Sequence, residues 1–578
     1  MITNPIIENL PKHLKGFIID QEYDRYTAQD HAVWRYVMRQ NVYYLGDAAH
    51  KSYLDGLRKT GISVNKIPSL EEMNEILYKI GWAAVTVDGF IPPAAFMEFQ
   101  KHNVLVIAAD IRSCDQIEYT PAPDIIHEAA GHAPIIADEE YSAYLRNFGV
   151  IGSRAFSSKK DYEIYEAIRH LSILKADPYS SAEDVEEAER FLDKISGEAG
   201  IASEMSLIRN LHWWTVEYGL IGDLEKPKLY GAGLLSSIGE SKGALSDKVK
   251  KIPYTLEAKD YNFDITKQQP QLFVTPDFHT LNTVLEEFAN GMALRKGGMD
   301  GILKAIGSGN TATLTYSSGL QVSGTFTEVI SRQGIPVYLR TEGPTTMNFK
   351  DKMLEGHSGK YHSEGFGSPV GKIRNCMKPM HLLSDGDLKE MGIAEGKHTS
   401  FTFESGLKVE GILQKTLRRE GSLLLLSFRD CLVKYEDRVL FEPSWGMYDM
   451  AVGEKIVSAF GGPADAEGFG LHYDAPEEKT HHIEYTEKTR MLHRLYDKTR
   501  KIRDSELEAS ELKKVWQTVK TDYPDDWLLP VEIYEVAFKN KINSGFPEEV
   551  SEHLEKVKQK HPDFEKLITG GLSLADKI

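Results

Sequence analysis

The chain has 578 residues, of which 41% are hydrophobic and 27% are charged, and its net charge is −18. This length exceeds what one hydrophobic core supports and predicts a multidomain protein, while the ordinary composition excludes fibrous and wholly disordered classes. A net acidic chain repels phosphate backbones, so we expect no nucleic-acid partner. No apolar run approaches the roughly 20 residues that span a bilayer, and no signal-peptide pattern is present, so we expect a cytoplasmic protein without a membrane partner.

Three regions follow one another along the chain. Residues 1–298 are predicted to be mainly helical, because apolar positions recur at helical spacing in segments such as HAVWRYVMRQNVYYL and SEMSLIRNLHWWTVEYGLI. Residues 299–470 change to strand-like alternation and are predicted to form a β-rich domain. Residues 471–578 are predicted to be a helical C-terminal region, whose mixed charges are typical of solvated amphipathic helices.

The β-rich domain contains an internal repeat. TATLTYSSGLQVSGTF resembles SFTFESGLKVEGIL at an offset of 87 residues, at which Gly319 matches Gly406. The same offset relates the segments that begin at Arg332 and Arg419. A constant offset over two such segments predicts two similar halves, in which the Ser-Gly dipeptides are hairpin turns.

The segment PDIIHEAAGHAP carries a candidate metal site, because His127, Glu128 and His132 bring two imidazoles and a carboxylate close together. The histidines of the HExxH zinc-protease helix are four residues apart, whereas these are five apart. On an α-helix that spacing turns the second side chain about 140° away from the first. We therefore expect the helix to end between the two histidines, at Gly131 followed by Pro134, and we disfavour a zinc hydrolase.

A third ligand is expected in HWWTVEYGL. Glu217 is a carboxylate in an otherwise apolar helical segment, and it is expensive to bury unless it is paired or bound to a metal. Trp213, four positions earlier, lies on the same helical face. Two histidines and one carboxylate form the facial triad of non-heme Fe(II) oxygenases, which leaves coordination positions open. A carboxylate on a helix surface at a domain seam is the alternative interpretation.

These residues resemble the pterin-dependent aromatic amino acid hydroxylases, the family of phenylalanine, tyrosine and tryptophan hydroxylases. YTPAPDIIHEAAGHAPIIADEEYSAYLRNFG is similar to the first iron-binding block of the family, WWTVEYGLIG to the second, and YGAGLLSSIGE to a block near the amino-acid site. The resemblance implies the mainly α catalytic domain of that family over the first 298 residues. It also implies Fe(II) bound by His127, His132 and Glu217, a tetrahydropterin such as tetrahydrobiopterin, and O₂ as co-substrate.

The same resemblance implies which residues bind the amino acid and which bind the pterin. Arg112 falls where the family binds the substrate carboxylate, a task that suits the bidentate pairing of a guanidinium. The other residues implied to bind the amino acid are Thr120, Pro123, Trp213, Gly233, Ser236 and Val274. The residues implied to bind the pterin, with Phe96 stacked on its ring and Glu128 at its edge, are Gly89, Phe90, Ile91, Phe96 and Glu128. His212 stands where a tyrosine is usual.

The implied activity is hydroxylation of the ring of a free aromatic amino acid. Val274 is apolar where tyrosine hydroxylases carry an aspartate, and this favours phenylalanine over tyrosine as the substrate. The expected reaction converts phenylalanine to tyrosine. Tyrosine or tryptophan hydroxylation on the same scaffold is one alternative. A binding or scaffold protein whose C-terminal half carries the main role is another. Residues 300–578 have no assigned role and are candidates for homo-oligomerisation, docking of a partner or regulation.

Overall fold

The computed structural model describes residues 4–118, 123–177, 179–198, 200–264, 268–473, 484–542, 545–575 and 577. Within these ranges no helix is both long and apolar enough to cross a membrane.

The first 308 residues are mainly helical. The α-helices are Pro5–Glu8, Lys12–Lys15, Ala28–Ala48, Ser52–Lys59, Leu70–Leu77, Pro93–Lys101, Ala133–Ile136, Glu139–Gly152, Lys159–Ala176, Ala182–Gly197, Glu204–His212, Ala232–Ser236, Ile238–Ala244, Phe278–Gly291, Ala293–Lys296 and Gly298–Ser308. Two further segments, Ile126–His132 and Trp213–Glu217, are π-helices. The long helix Ala28–Ala48 begins at a capping box in which the side chains of Thr27 and Asp30 satisfy each other's backbone N–H groups.

Two small sheets lie among these helices. One has the strand order Ile18–Ile19, Ala83–Val87, Val104–Ala108, and the other has the order Lys228–Leu229, Leu220–Ile221, Gln271–Thr275, Lys250–Pro253. The parallel strands Ala83–Val87 and Val104–Ala108 are buried at every position, which explains their continuous apolar sequence. The connection between them contains the segment implied to bind the pterin.

The β-rich domain consists of two sheets. The first has the order Lys352–Met353, Ile335–Phe349, Leu320–Arg332, Thr311–Tyr316, Ile456–Gly461, with Gly365–Pro369 also paired to Ile335–Phe349. The second has the order His398–Thr402, Lys408–Arg419, Ser422–Tyr435, Arg438–Phe441, with Tyr448–Ala451 also paired to Ser422–Tyr435. The short helices Asp385–Glu390 and Ala466–Phe469 accompany them.

The sequence repeat corresponds to two copies of one long hairpin. Gln333 and Gly334 turn the first hairpin with φ of 52° and 77°, and Glu420 and Gly421 turn the second with φ of 48° and 82°. Positive φ at both central residues is what a two-residue type I′ turn requires. The two turns are separated by the same 87 residues as the repeat.

The last strand of the β-rich domain returns to its first strand. Ile456–Gly461 pairs antiparallel with Thr311–Tyr316, and the Gly462 N–H donates to the Thr311 carbonyl at 2.9 Å. The chain therefore leaves this domain close to the point where it entered.

The C-terminal helices pack against the N-terminal part of the chain and share its hydrophobic core. They are Glu487–Arg503, Leu512–Asp522, Leu528–Lys539, Phe546–Lys560 and Glu565–Ala575. Trp527 meets the Tyr36 ring edge-on with centroids 5.2 Å apart, and the Tyr36 hydroxyl donates to the Leu567 carbonyl at 2.6 Å. Most of the charges lie on the outer faces of these helices, although Glu532 and Glu535 are buried, and Glu487–Arg503, Leu528–Lys539 and Glu565–Ala575 pack against helix Ala28–Ala48.

Candidate active site

The N-terminal part of the chain encloses a mostly apolar cavity of about 280 Å³. The residues singled out in the sequence that line it are Gly89, Phe90, Ile91, Phe96, Arg112, Pro123, His127, Glu128, Trp213, Glu217, Gly233 and Ser236. His132 is buried beside His127 and Glu217. Thr120 lies outside the described residues.

His127 and His132 lie on one continuous helical segment, so the prediction that a helix ends between them is wrong. In the π-helix Ile126–His132 the Ala133 N–H donates to the Glu128 carbonyl, five residues earlier. This wider turn stacks residues five apart, and the two Nε2 atoms are 3.3 Å from each other. The five-residue spacing is therefore compatible with a shared ion, and it does not by itself exclude zinc.

Glu217 brings a carboxylate to the same point. Its Oε2 lies 3.1 Å from Nε2 of His127, and its Oε1 lies 3.4 Å from Nε2 of His132. Ligand atoms about 2.1 Å from one ion lie about 3.0–3.4 Å apart at octahedral to tetrahedral angles, so the three side chains fit one divalent cation. Burial opposes ionisation, but the two imidazoles hold the pKa of the Glu217 carboxyl well below its usual range, so it is anionic.

Ser236 fixes the orientation and tautomer of His127. The Ser236 hydroxyl donates to the Ala232 carbonyl at 2.8 Å, so its oxygen accepts from Nδ1–H of His127 at 3.1 Å. A proton on Nδ1 leaves the lone pair of Nε2 directed at the shared position. Hydrogen bonds of this kind orient metal-binding imidazoles, so Ser236 supports His127 as well as lining the cavity.

Two glycines let helix Ala232–Ser236 lie between the two π-helices. A Cβ atom on Gly131 would lie 2.6 Å from the Ala232 carbonyl oxygen, and one on Gly231 would lie 2.5 Å from the Glu217 carbonyl oxygen. Both distances are shorter than side-chain carbons adopt, so only glycine fits. The Gly-Ala-Gly run at 231–233 is therefore a packing motif.

Asp124, which the sequence did not single out, positions Arg112. The Arg112 guanidinium is buried and donates from Nε and Nη2 to the two carboxylate oxygens of Asp124, each at 2.8 Å. Asp124 also accepts from the backbone N–H of His127 at 3.0 Å. Burial opposes its ionisation, but Arg112 holds the pKa of the Asp124 carboxyl below its usual value. One carboxylate thus links the arginine to the metal-binding segment.

The residues implied to bind the pterin line the same cavity as Arg112. The Tyr165 hydroxyl donates to the Phe90 carbonyl at 3.0 Å and holds the loop before helix Pro93–Lys101. The Phe96 ring meets the His212 ring edge-on at 5.7 Å. Oε2 of Glu128 is buried without a hydrogen-bond partner among the described residues, and burial raises the pKa of Glu128 to about 8. This Oε2 lies 3.6 Å from Nε2 of His132, so the Glu128 carboxyl stands beside the two histidines.

Further side chains that the sequence did not single out complete the wall. The Trp213 ring stacks on Phe263 with centroids 4.2 Å apart and on Tyr218 with centroids 4.6 Å apart. Glu240 also lines the cavity, and burial raises its pKa to about 7. An isolated glutamate and an isolated phenylalanine have no pattern in the sequence, so only the fold brings them to the site.

Val274 does not line the cavity. It lies in strand Gln271–Thr275, pairs with Leu220 and Pro253, and is 4% exposed within the core. The preference for phenylalanine that was predicted from this position therefore has no basis in the geometry.

Comparison with known proteins identifies the fold around this cavity. A sequence model of the family described as biopterin-dependent aromatic amino acid hydroxylase matches residues 19–166 and 192–296. These two segments, together somewhat less than half of the chain, are similar to this family. The matched segments contain His127, His132 and Glu217, and we call them together the hydroxylase region.

Several relatives share this region. Phenylalanine-4-hydroxylase of Mesorhizobium japonicum is 27% identical over 286 residues, which are 48% of this chain and 87% of that protein. The Pseudomonas aeruginosa phenylalanine-4-hydroxylase is 25% identical over 270 residues, or 46% of this chain and 86% of that protein. The crystal structure of Chromobacterium violaceum phenylalanine hydroxylase with iron(III) and 7,8-dihydrobiopterin is 22% identical, covers 50% of this chain and 93% of that chain, and has a TM-score of 0.37. Residues 297–578 lie outside the family match.

Proposed function

We propose that this protein hydroxylates the ring of free phenylalanine to give tyrosine, with Fe(II), a tetrahydropterin and O₂. The observation that carries the proposal is the convergence of His127, His132 and Glu217 at the floor of an apolar cavity in a biopterin-dependent family. The relatives named phenylalanine-4-hydroxylase support phenylalanine as the substrate. A cytoplasmic location and self-association through the C-terminal half stay predictions.

The donor set fits Fe(II). Two imidazole nitrogens and one carboxylate surround the shared position, and a facial arrangement of such a donor set leaves coordination positions for other ligands. Ser236 holds His127 in the tautomer that a metal needs. Glu128 adds a further carboxylate beside the three donors, with its Oε2 3.6 Å from Nε2 of His132, and the site opens into the cavity.

The cavity wall also fits a pterin. Glu128 lines the cavity together with the Phe96 ring and the loop fixed by Tyr165, and its buried Oε2 lies 3.6 Å from Nε2 of His132. A flat heterocycle with N–H groups satisfies both features, because its ring packs on Phe96 while its edge pairs with Glu128. When bound, the metal and the tetrahydropterin together supply the activation of O₂.

The side chains of this chain bind and orient the amino acid. Nη2 of Arg112 uses one N–H for Asp124 and has a second with which to bind the substrate carboxylate. Because Asp124 also accepts from the His127 backbone, the point that anchors the substrate is fixed relative to the metal ligands. The rings of Trp213 and Phe263 exclude water from the substrate ring.

The test is turnover by the full chain loaded with Fe(II), with tetrahydrobiopterin and O₂, on phenylalanine, tyrosine and tryptophan separately. We expect tyrosine as the product from phenylalanine, and the highest kcat/KM for that substrate. A higher kcat/KM for tyrosine or tryptophan would show that this amino acid, and not phenylalanine, is the substrate. If the iron-loaded protein hydroxylates none of the three, the proposed activity is wrong.

A further inference from the structure

A second group of two histidines and one carboxylate lies in the β-rich domain, outside the family match. Nδ1 of His357 is 3.3 Å from Nε2 of His362, and Oδ2 of Asp449 is 3.9 Å from each of these nitrogens. These three atoms lie within reach of one another as potential metal ligands.

The three residues come from both halves of the β-rich domain. His357 and His362 lie on the connection that follows strand Lys352–Met353, in the first half. Backbone hydrogen bonds from Met347 to the His357 carbonyl and from Thr345 to the His362 carbonyl, both at 3.1 Å, hold that connection against strand Ile335–Phe349. Asp449 lies on strand Tyr448–Ala451, in the second half. The cluster therefore joins the two copies of the repeat.

The carboxylate of Asp449 is incompletely satisfied. Asp449 is 5% exposed; its Oδ1 accepts from the Ser427 hydroxyl, and its Oδ2 has no hydrogen-bond partner among the described residues. The ion-pair partners within 4 Å in the described chain are only the two imidazoles. A buried carboxylate oxygen without a partner costs stability, so its position beside two imidazole nitrogens calls for a cation.

The geometry accepts one ion. The nearest point equidistant from the three atoms lies in their plane, about 2.2 Å from each, so a tetrahedral zinc ion at about 2.0–2.2 Å requires the Asp449 carboxylate to move about 0.5 Å closer to the imidazoles. The His357–His362 nitrogen separation equals the 3.3 Å between the histidines of the hydroxylase region.

We propose that Nδ1 of His357, Nε2 of His362 and Oδ2 of Asp449 bind one Zn²⁺ ion that cross-links the two halves of the β-rich domain. Three protein ligands leave a fourth position of the tetrahedron for water. The competing explanation is a hydrogen bond between the two imidazoles, with the Tyr361 hydroxyl bonded to the Asp449 carboxylate, and the zinc measurements below distinguish it from a bound ion.

The experiment counts metal ions in the full chain. Protein freed of metal by a chelator is equilibrated with Zn²⁺ and desalted, and bound zinc is measured by mass spectrometry. We expect two ions per chain for the unmodified protein, one for His127→Ala/His132→Ala, and one each for His362→Gln and Asp449→Asn. His398→Gln is the matched control, because this histidine of the same domain has a 62% exposed side chain outside the cluster, and it should keep two ions.

A second readout uses the His127→Ala/His132→Ala background, in which the hydroxylase region has lost two of its donors. Added Zn²⁺ should raise Tm in this background, and the additional change His362→Gln should abolish the rise while circular dichroism stays unchanged. Co²⁺ should give visible absorption bands in the same background. The proposal is wrong if the unmodified protein binds one ion and Asp449→Asn loses none. It is also wrong if the His127→Ala/His132→Ala variant shows neither a rise in Tm nor Co²⁺ bands.

Discussion

Arg35 and Glu535, which are 500 residues apart in the chain, form a buried ion pair between the hydroxylase region and the C-terminal helices. Nη1 of Arg35 donates to Oε2 of Glu535 at 2.6 Å, and Nη2 donates to Oε1. Both side chains are at most 7% exposed, and Arg39 donates to the same carboxylate. The pair holds helix Leu528–Lys539 against helix Ala28–Ala48, so the C-terminal helices pack as one unit with the hydroxylase region.

Replacing only one residue of this ion pair should destabilise the folded protein strongly. We expect Arg35→Met to lower the free energy of unfolding by about 3–5 kcal/mol, since Glu535 then keeps only Arg39 in a buried site. Urea denaturation measures the change. The control is Arg58→Met, whose ion pair with Asp55 is largely exposed and should contribute less than about 1 kcal/mol. Equal losses in the two variants would contradict a special role for the buried pair.

Glu217→Gln should keep the fold and lose iron. The change removes the anionic ligand but preserves the shape of the side chain, so we expect far-UV circular dichroism to stay unchanged while bound iron and turnover fall at least tenfold. Glu225→Gln makes the same change on an exposed loop and should alter neither. Wild-type turnover in Glu217→Gln would show that this carboxylate is not a ligand.

Arg112→Ala should raise the KM for the amino acid and leave the iron content unchanged. A buried charge-assisted pair with a carboxylate contributes about 2–5 kcal/mol, so the KM should rise at least 30-fold. Steady-state kinetics and metal analysis measure the two effects. Arg146→Ala, on the exposed face of helix Glu139–Gly152, is the control and should change neither. An unaltered KM in Arg112→Ala would assign the substrate carboxylate to another residue.

Gly131→Ala should disturb the metal site through packing alone. The added methyl group would lie 2.6 Å from the Ala232 carbonyl oxygen, so the π-helix and helix Ala232–Ser236 must separate. We expect a loss of about 1–3 kcal/mol in stability and weaker iron binding. Gly307→Ala is the matched control, because that helical glycine has open space around it, and the variant should gain up to about 1 kcal/mol. Unchanged iron affinity in Gly131→Ala would refute the close-packing argument.

Glu240 should make stability fall as the pH rises from about 4.5 to 7. Burial raises its folded pKa to about 7, so in this range the folded protein holds a proton that the unfolded chain has released. The full effect is at most about 3 kcal/mol, and it is complete above the folded pKa. Glu240→Gln removes it, so the stability difference between variant and wild type should grow in favour of the variant across this window. A difference independent of pH, measured by urea denaturation at several pH values, would contradict the shift.

The sequence identified three candidate metal ligands but mispredicted the helix that presents two of them. His127, His132 and Glu217 were found from residue type and local chemistry, and the structure brings them together. The π-helical turn was missed because a seven-residue segment is too short to reveal its hydrogen-bond pattern as a period. Asp124 was missed because its partner, Arg112, is twelve residues away with an irregular chain between them.

The β-rich domain was predictable where a local signal existed. The constant offset of 87 residues gave its two halves, and the turns at Gly334 and Gly421 occur at equivalent positions. The packing of the C-terminal helices was not predictable, because an amphipathic pattern gives an apolar face but not the surface that covers it. The prediction that Val274 lies in the substrate pocket was wrong for a similar reason. Alignment with a pocket residue does not establish that this side chain reaches the pocket.

The pairing of helix Ala28–Ala48 with partners near the end of the chain determines the order of events during synthesis. At about 5–20 residues per second, Arg35 is made about 25–100 s before Glu535, so the part of its helix that the C-terminal helices cover lacks its partner for that time. The β-rich domain is continuous in sequence and is able to close as soon as strand Ile456–Gly461 emerges. The helical core around the cavity is therefore completed only after the β-rich domain, although its first helices are made before it.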